Sequence, residues 1–137
     1  MVGRILLAVD GSDPSSRAIP FAADVARCLG AEIVVFHAKE HVAGRGEAYD
    51  AESDADASSL TDHAVRWLKD EGLPAWSETR SCYFGHVPRE LVRAARDERA
   101  DMIVMGSRGQ SDLGATVVGS VTGKVLQLSE IPVLIVP

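Results

Sequence analysis

The chain of 137 residues is long enough for one domain with one hydrophobic core, because single domains commonly hold about 100–200 residues. Hydrophobic residues make up 46% and charged residues 25% of the sequence, which excludes a disordered or fibrous protein. Fourteen Lys and Arg against twenty Asp and Glu give a net charge of −6, so a nucleic acid, whose backbone is also negative, is not expected as a partner.

Five short segments of the sequence are predicted to be β-strands. Segments of helical periodicity separate them, and this alternation is typical of a single α/β domain with a parallel sheet and helices on both faces. Four of the segments are continuous aliphatic runs, as expected for covered strands, whereas the third carries polar residues throughout and is predicted at a sheet edge. The predicted strands are Arg4–Val9, Glu32–Ala38, Ala75–Cys82, Asp101–Met105 and Pro132–Val136.

Four helices are predicted between these strands. Ser12 and Asp13 can cap the first helix, Pro14 suits its first turn, and Gly30 suits its end. The second ends at Gly72, and the last begins near Gly119. The apolar stripe predicted for the first helix consists of Ile19, Phe21, Ala22, Val25, Ala26 and Leu29.

Residues His41–Ala57, rich in Gly, Glu and Asp, are predicted to form the one long loop. Their acidic residues alternate as in a calcium-binding loop. Ala55 stands where such a loop needs glycine, and Thr61 stands where it needs glutamate. No metal site is therefore predicted, and a solvated loop is expected.

The apolar runs are short, and the longest hold four or five residues, far below the ~20 that span a bilayer. No membrane partner is therefore expected. Met1–Arg4 leads directly into the first apolar run without the pattern of a secretory leader, which favours a cytoplasmic location.

The most informative motif is Gly106-Ser107-Arg108-Gly109, followed after nine residues by Gly119-Ser120. The first part follows a predicted strand, at the edge where open α/β sheets bind ligands. Bare glycines let backbone N–H groups approach a polyphosphate, and a helix N-terminus with the Ser120 hydroxyl would complete the site. For Gly106 alone an ordinary strand end is the favoured interpretation, so the phosphate prediction depends on the whole motif.

Two better-known phosphate motifs are not present. Gly119–Lys124 has one residue too few between its glycines for a P-loop, and Val125 stands in place of the Ser or Thr that would meet magnesium. Gly44-Arg45-Gly46 lacks the third glycine of a dinucleotide fingerprint. Neither Walker-type hydrolysis nor a nicotinamide-dependent dehydrogenase is supported.

Asp10 follows the first strand and would share a sheet edge with Gly106 if strands one and four are neighbours. Its carboxylate could accept hydrogen bonds from a ribose or an adenine amino group. It could equally cap the first helix or brace the turn. Spacing alone leaves the two interpretations open.

Together these motifs resemble the universal stress protein family, in its ATP-binding branch. The resemblance rests on Val9–Ser12, the glycine motif, Phe84-Gly85-His86 and the C-terminal Pro132–Val136, and it extends over essentially the whole chain. It implies a Rossmann-like sheet of five parallel strands in the order 3-2-1-4-5. It also implies ATP across the ends of strands one and four, and a homodimer paired through the last strand.

The resemblance also implies which residues meet the nucleotide. Asp10 would contact the adenine or the ribose, and Ala8 and Ala38 would line the base. Some relatives have Pro in place of Ala8 and many have Val in place of Ala38, so the base selectivity stays open. The phosphates would be surrounded by Gly106, Gly109, Gly119, Ser120 and Val121, with Thr122 as an additional contact and Arg108 and Mg²⁺ as sources of positive charge.

Three functions are consistent with the sequence. The leading hypothesis is an ATP-binding regulatory or stress-response module, a dimeric switch in which Gln110–Val118 and His41–Ala57 respond to the nucleotide. The second is a slow Mg²⁺-dependent ATPase or phosphotransferase. Only Gln110 and Asp112 offer a base in the glycine segment, and a position in a solvated loop is the favoured interpretation of both. No catalytic residue is therefore predicted. The third is a nucleotide-free dimeric module that docks an unknown protein. Pro132–Val136 is an apolar strand that an edge position would leave open to pairing.

Overall fold

A computed structural model describes residues 2–44, 47–50, 53–108 and 118–137 of the protein, with residues 42–44 and 47–50 described by their backbone alone. Within these ranges no helix combines the length and the apolar character that crossing a membrane requires. The described elements are β1 (Arg4–Ala8), α1 (Asp13–Leu29), β2 (Glu32–Gly44), β3 (Glu47–Asp50), α2 (Asp54–Asp70), β4 (Ala75–Tyr83), α3 (Val87–Asp97), β5 (Met102–Gly106), α4 (Ser120–Leu128) and β6 (Val133–Val136).

The five parallel strands lie in the order β4-β2-β1-β5-β6. This confirms the predicted order 3-2-1-4-5 and the edge position of the polar third strand. β1 lies at the centre, where Leu6 is in register with Val34 of β2 and Ile103 of β5. The carboxyl ends of β1 and β5 therefore meet at one edge of the sheet.

The prediction of one long loop over His41–Ala57 was wrong. β2 continues to Gly44, β3 pairs with it antiparallel, and α2 already begins at Asp54. The N-cap of α2 is Ser53, whose side chain accepts a hydrogen bond from the Asp56 amide at 3.0 Å. The acidic composition suggested a loop, but acidic residues also suit a helix start and a solvated strand.

The sheet separates two apolar cores, because successive side chains of a strand point to opposite faces. Leu7, Val35 and Val104 pack beneath α1 and α2, whereas Leu6, Phe36 and Ile103 pack beneath α3 and α4. All six side chains are fully buried or nearly so.

The apolar stripe predicted for α1 was partly wrong. Alanines, including Ala18, Ala22 and Ala26, form the buried face of this helix. Phe21 and Leu29 are 54% and 43% exposed, respectively. A face made of alanine brings the helix axis close to the sheet, so the larger side chains beside it stay outside the contact.

A hydrogen-bonded group joins β1 to β5 at the amino end of the sheet. The Asp101 carboxylate accepts hydrogen bonds from the amides of Gly3 at 2.8 Å and Arg4 at 3.0 Å. The Arg4 guanidinium pairs with Glu32 and lies 5.1 Å from the ring centroid of Trp76. The Gly3 and Arg4 amides lower the pKa of the Asp101 carboxyl below its ordinary value.

Replacing Asp101 with Asn should therefore lower the stability of the fold at neutral pH. The pKa of this carboxyl is depressed in the folded state, so its stabilisation is complete above the unfolded-state pKa of about 3.9 and is lost as the pH falls through the folded value. Urea unfolding of the wild type and of Asp101→Asn between about pH 7 and about pH 3 measures this dependence. Glu130→Gln, at an exposed side chain, is the control. A stability difference that does not shrink in acid would contradict the assignment.

Candidate functional site

Three segments converge at the carboxyl ends of β1 and β5: the turn after β1, the turn after β5 and the start of α4. The Gly119 amide donates a hydrogen bond of 2.7 Å to the carbonyl of Ser107. The hydroxyl of Ser12 lies 3.5 Å from the carbonyl oxygen of Arg108. The two glycine turns of the sequence motif therefore lie side by side, as the phosphate prediction requires.

Gly106 is required by packing between α1 and β5. A Cβ atom at this position would lie 2.8 Å from backbone and side-chain atoms of Pro14 and from the amide nitrogen of Ser15. Real Cβ atoms essentially never make contacts so short, so a side chain here would force α1 away from the sheet. The bare glycine thus serves the approach of a helix, and the structural interpretation of Gly106 alone has direct support.

Thr122 fastens α4 to the end of β5. Its side chain is 2% exposed, and its hydroxyl donates a hydrogen bond of 2.9 Å to the carbonyl of Gly106. The sequence suggested Thr122 as an additional phosphate contact. The hydroxyl proton is used within the protein, and Thr122 thereby positions the start of α4. A phosphate contact of Thr122 stays a prediction.

Asp10 braces the turn after β1. Its Oδ1 atom accepts hydrogen bonds from the amide of Ser12 at 2.9 Å and from the hydroxyl of Ser12 at 2.5 Å. Its own amide donates to the Ser15 hydroxyl at 2.9 Å. Gly11 has φ of 82°, a left-handed conformation that favours glycine. The bracing role that spacing left open is therefore present, and the carboxylate is held at the sheet edge by its own turn.

His37 supports the same turn from below, which spacing in the sequence did not predict. The side chain is 5% exposed, and its Nδ1 atom lies 2.8 Å from the carbonyl oxygen of Val9. The amide of Val9 in turn donates to Phe36. The sequence indicated only a packing residue here, because a lone histidine in a strand gives no signal of what it contacts.

The start of α4 is the positive pole of the site. Gly119 is the N-cap in an extended conformation, without a hydrogen bond from a side-chain cap, and the first turn holds no acidic residue. The N-termini of α1 and α2 are capped by Ser12 and Ser53, whereas α3 also lacks a side-chain cap but has the acidic residue Glu90 in its first turn. The first amides of a helix have no partner within it and carry partial positive charge. Since Ser120 is exposed and Arg108 lies in the turn after β5, this arrangement fits an anion.

Ala8 and Ala38 lie on the face of the sheet that α3 and α4 cover. Ala8 ends β1, and Ala38 lies within β2, two residues past its last residue in register with β1. Both are partly exposed and border the apolar core of that face. The main chain of Phe36 faces β1, since its carbonyl accepts the hydrogen bond from the Val9 amide. Ala38, two residues on, directs its amide and carbonyl to the same side, past the point where β1 has ended.

Two parts of the sequence prediction lie outside the described residues. These are Gly109 and residues 110–117, which contain Gln110 and Asp112. In the ranges that are described, no three side chains among His, Cys, Asp and Glu are grouped so that they could hold a metal ion.

The five parallel strands form an open sheet whose order reverses between β1 and β5, with helices on both faces, and this arrangement defines a doubly wound α/β protein. The sequence profile described as "Universal stress protein family" matches residues 1–137. The chain therefore belongs to the universal stress protein family.

Relatives and solved structures agree with this membership. The chain is 34% identical over 148 residues to "Universal stress protein in QAH/OAS sulfhydrylase 3'region" of Thermus aquaticus, with 99% of each chain covered. It is 31% identical over 152 residues to universal stress protein YxiE of Bacillus subtilis, again with 99% of each covered.

Two related structures contain nucleotides. A universal stress protein in complex with cAMP matches with a TM-score of 0.71 and 27% identity, covering 98% of this chain and 96% of the other. A universal stress protein of Archaeoglobus fulgidus in complex with dAMP matches with a TM-score of 0.72 and 25% identity, covering 100% and 98%.

Replacing Gly106 with Ala should destabilise the fold by about 1–3 kcal/mol, because the new methyl group would overlap the start of α1. Gly123 in α4 is the matched control, since a Cβ there meets nothing within 4 Å. Gly123→Ala should raise the stability by up to about 1 kcal/mol through helix propensity. Urea unfolding of both variants measures the difference. A Gly106→Ala variant as stable as the wild type would contradict the packing role.

Proposed function

We propose that this protein binds ATP, with the phosphates at the start of α4 and the adenine beside the end of β1 and the middle of β2. The observation that carries the proposal is the convergence of the two glycine turns around an N-terminus of α4 that has no side-chain cap. A helix N-terminus at the switch point of an open sheet is suited to a phosphate because its amides point toward the ligand.

In this proposal the phosphates lie against the amides of Ser120 and Val121 and the Ser120 hydroxyl. Arg108 adds positive charge, and Mg²⁺ accompanies the phosphates. Gly109 is assigned to the site from the sequence motif alone. Gly119 contributes by lacking a side chain, since its amide donates to Ser107, and Gly106 contributes by letting α1 approach.

The base site is proposed at Ala8 and Ala38. Two small side chains leave room on the face that α3 and α4 cover, and the main-chain groups of Ala38 are directed to the edge that β1 vacates. One donor and one acceptor side by side match the edge of an adenine. Asp10, held at this edge by its hydrogen bonds with Ser12, is proposed to contact the ribose.

Related proteins support an adenine nucleotide as the ligand. The two complexes described above contain cAMP and dAMP, and both carry an adenine base and a phosphate. The triphosphate itself is proposed from the glycine motif of this chain. We assign no catalytic residue, and the proposed activity is that of a binding module.

Replacing Ser120 with Pro should weaken ATP binding by about tenfold or more, because a hydrogen bond to a charged group contributes about 1.5–3 kcal/mol. Proline removes the Ser120 amide proton without disturbing the helix. It suits the first helical position, and the preceding Gly119 is already extended, with φ of −70° and ψ of 168°. Isothermal titration with ATP measures the affinity.

Ser120→Ala is the matched control, since it removes the hydroxyl and keeps the amide. It should lose less affinity than Ser120→Pro, and thermal unfolding should give similar midpoints for the two variants. Equal ATP affinity of Ser120→Pro and the wild type would overturn the phosphate site.

We also propose that the protein is a homodimer paired through residues 132–136, and that it acts as a nucleotide-dependent regulatory module. β6 is the last strand of the sheet, and Val133, Leu134 and Ile135 are only partly buried. Arg17 of α1 donates a hydrogen bond of 2.9 Å to the carbonyl of Pro137, and Phe21 lies one helical turn further along α1. Phe21, 54% exposed, is therefore proposed to extend the apolar surface of the open strand.

Replacing Phe21 with Arg should weaken the dimer by about tenfold or more, because a central aromatic contact of an interface commonly contributes this much. The fold should persist, since Phe21 is 54% exposed. Sedimentation of the wild type and the variant across a dilution series measures the association. Phe84→Arg is the control, at a side chain 73% exposed between β4 and α3. Dissociation by Phe84→Arg alone would place the interface at the other edge.

A further inference from the structure

The β2–β3 hairpin lies on the same edge of β2 as β1. His41 is in register with both Tyr83 of β4 and Asp50 of β3, so these two strands flank β2 on opposite edges. β4 occupies the edge away from β1, which places β3 on the edge that β1 leaves after Ala8.

A short stretch of open strand edge lies between the end of β1 and the hairpin. On the β1 side, Val9 is hydrogen-bonded at the level of Phe36 and His37, and β3 begins to pair at His41. Four residues from His37 to His41 correspond to about 13 Å of strand at about 3.3 Å per residue. Ala38, proposed above to contact the base, lies in this stretch. The hairpin therefore borders the proposed base site on the side opposite β1.

An ion pair closes the base of this hairpin. The Lys39 side chain, 4% exposed, pairs with the carboxylate of Asp54, the first residue of α2, whose own side chain is 95% exposed. Lys39 precedes the part of β2 that pairs with β3, and Asp54 follows β3. The ion pair therefore joins the two ends of the hairpin. Because the Lys39 side chain is buried, loss of the Asp54 carboxylate removes charge compensation from its ammonium group, although the exposure of Asp54 to solvent makes this pair weaker than a fully buried one.

Two further features fix the position of the chain where it enters α2 after β3. Ser53 caps α2 through the Asp56 amide, and the helix N-terminus favours the Asp54 carboxylate. The helix and the ion pair together determine where the chain leaves β3. Their effect reaches the base site through the main chain of β2, because Lys39 directly follows Ala38.

We propose that the Lys39–Asp54 ion pair is a positioning pair that holds the β2–β3 hairpin against the base site and thereby determines base preference. The inference rests on the proposed nucleotide function and adds a determinant of specificity to it. Lys39 and Asp54 act through the hairpin and do not contact the nucleotide.

The test compares the affinities of wild type and Asp54→Asn for ATP and GTP by isothermal titration. Loss of the pair should weaken ATP binding by about fivefold to tenfold and reduce the preference for ATP over GTP. Amide hydrogen exchange at Val42–Gly44 should become faster in the same variant, which reports on the hairpin directly.

Two controls separate positioning from general destabilisation. Asp54→Glu keeps the charge and should restore both the affinity and the preference. Glu71→Gln removes the ion pair of 2.7 Å with Arg27 at the opposite end of the sheet and should change neither. Should Asp54→Asn fail to fold, the double variant Lys39→Met/Asp54→Asn removes both charges and gives the same comparison.

The outcomes distinguish the two proposals. A wild-type protein that binds neither nucleotide would overturn the proposed function and this inference with it. A wild type that binds ATP, together with an Asp54→Asn variant of unchanged ATP affinity and unchanged ATP-to-GTP ratio, would overturn the positioning role alone.

Discussion

Two hydrogen bonds between α4 and the end of β5 are the contacts on which the rest of the site depends. The Thr122 hydroxyl reaches the Gly106 carbonyl, and the Gly119 amide reaches the Ser107 carbonyl. Both hydrogen bonds join residues more than ten positions apart in sequence. They bring a helix N-terminus to the point where the strand order of the sheet reverses. Without them the first amides of α4 would have no defined position relative to the turn after β1, and their partial charges would not act at one place.

Gly106 and Gly119 of the motif are required for different physical reasons. Gly106 leaves room for the start of α1, which an added Cβ would meet at 2.8 Å. Gly119 is an extended N-cap whose amide is used within the protein. The motif therefore divides between a glycine that packing within the protein requires and a part that is proposed to bind phosphate. This division explains why the motif is informative as a whole, whereas any single glycine in it is not.

Much of the fold could be predicted from the sequence because hydrophobic runs bounded by turn residues fix the strands, and the covered strands require helices between them. The hairpin over 41–50 could not, since its polar composition equally suits a loop and its pairing depends on β1 ending early. Phe21 was misplaced because periodicity finds a helix face but not how closely a face of alanine approaches the sheet. The role of Thr122 in holding α4 could not be predicted for a related reason: a hydroxyl near a proposed anion can also donate to a carbonyl, and only coordinates show that bond.

The two outer strands of the sheet are chemically unequal, and this limits how copies of the chain can assemble. β6 presents four aliphatic residues, whereas β4 alternates through Ser77, Thr79 and Ser81 on its solvent side and carries the ion pairs of Arg80 with Glu78 and Asp97. A strand so hydrated and charged is a poor template for another sheet. Pairing of β6 with the β6 of a second copy would cover the apolar edge strand of both molecules. Because β4 is the less suitable edge for pairing, assembly would stop at a closed dimer and would not continue into a filament.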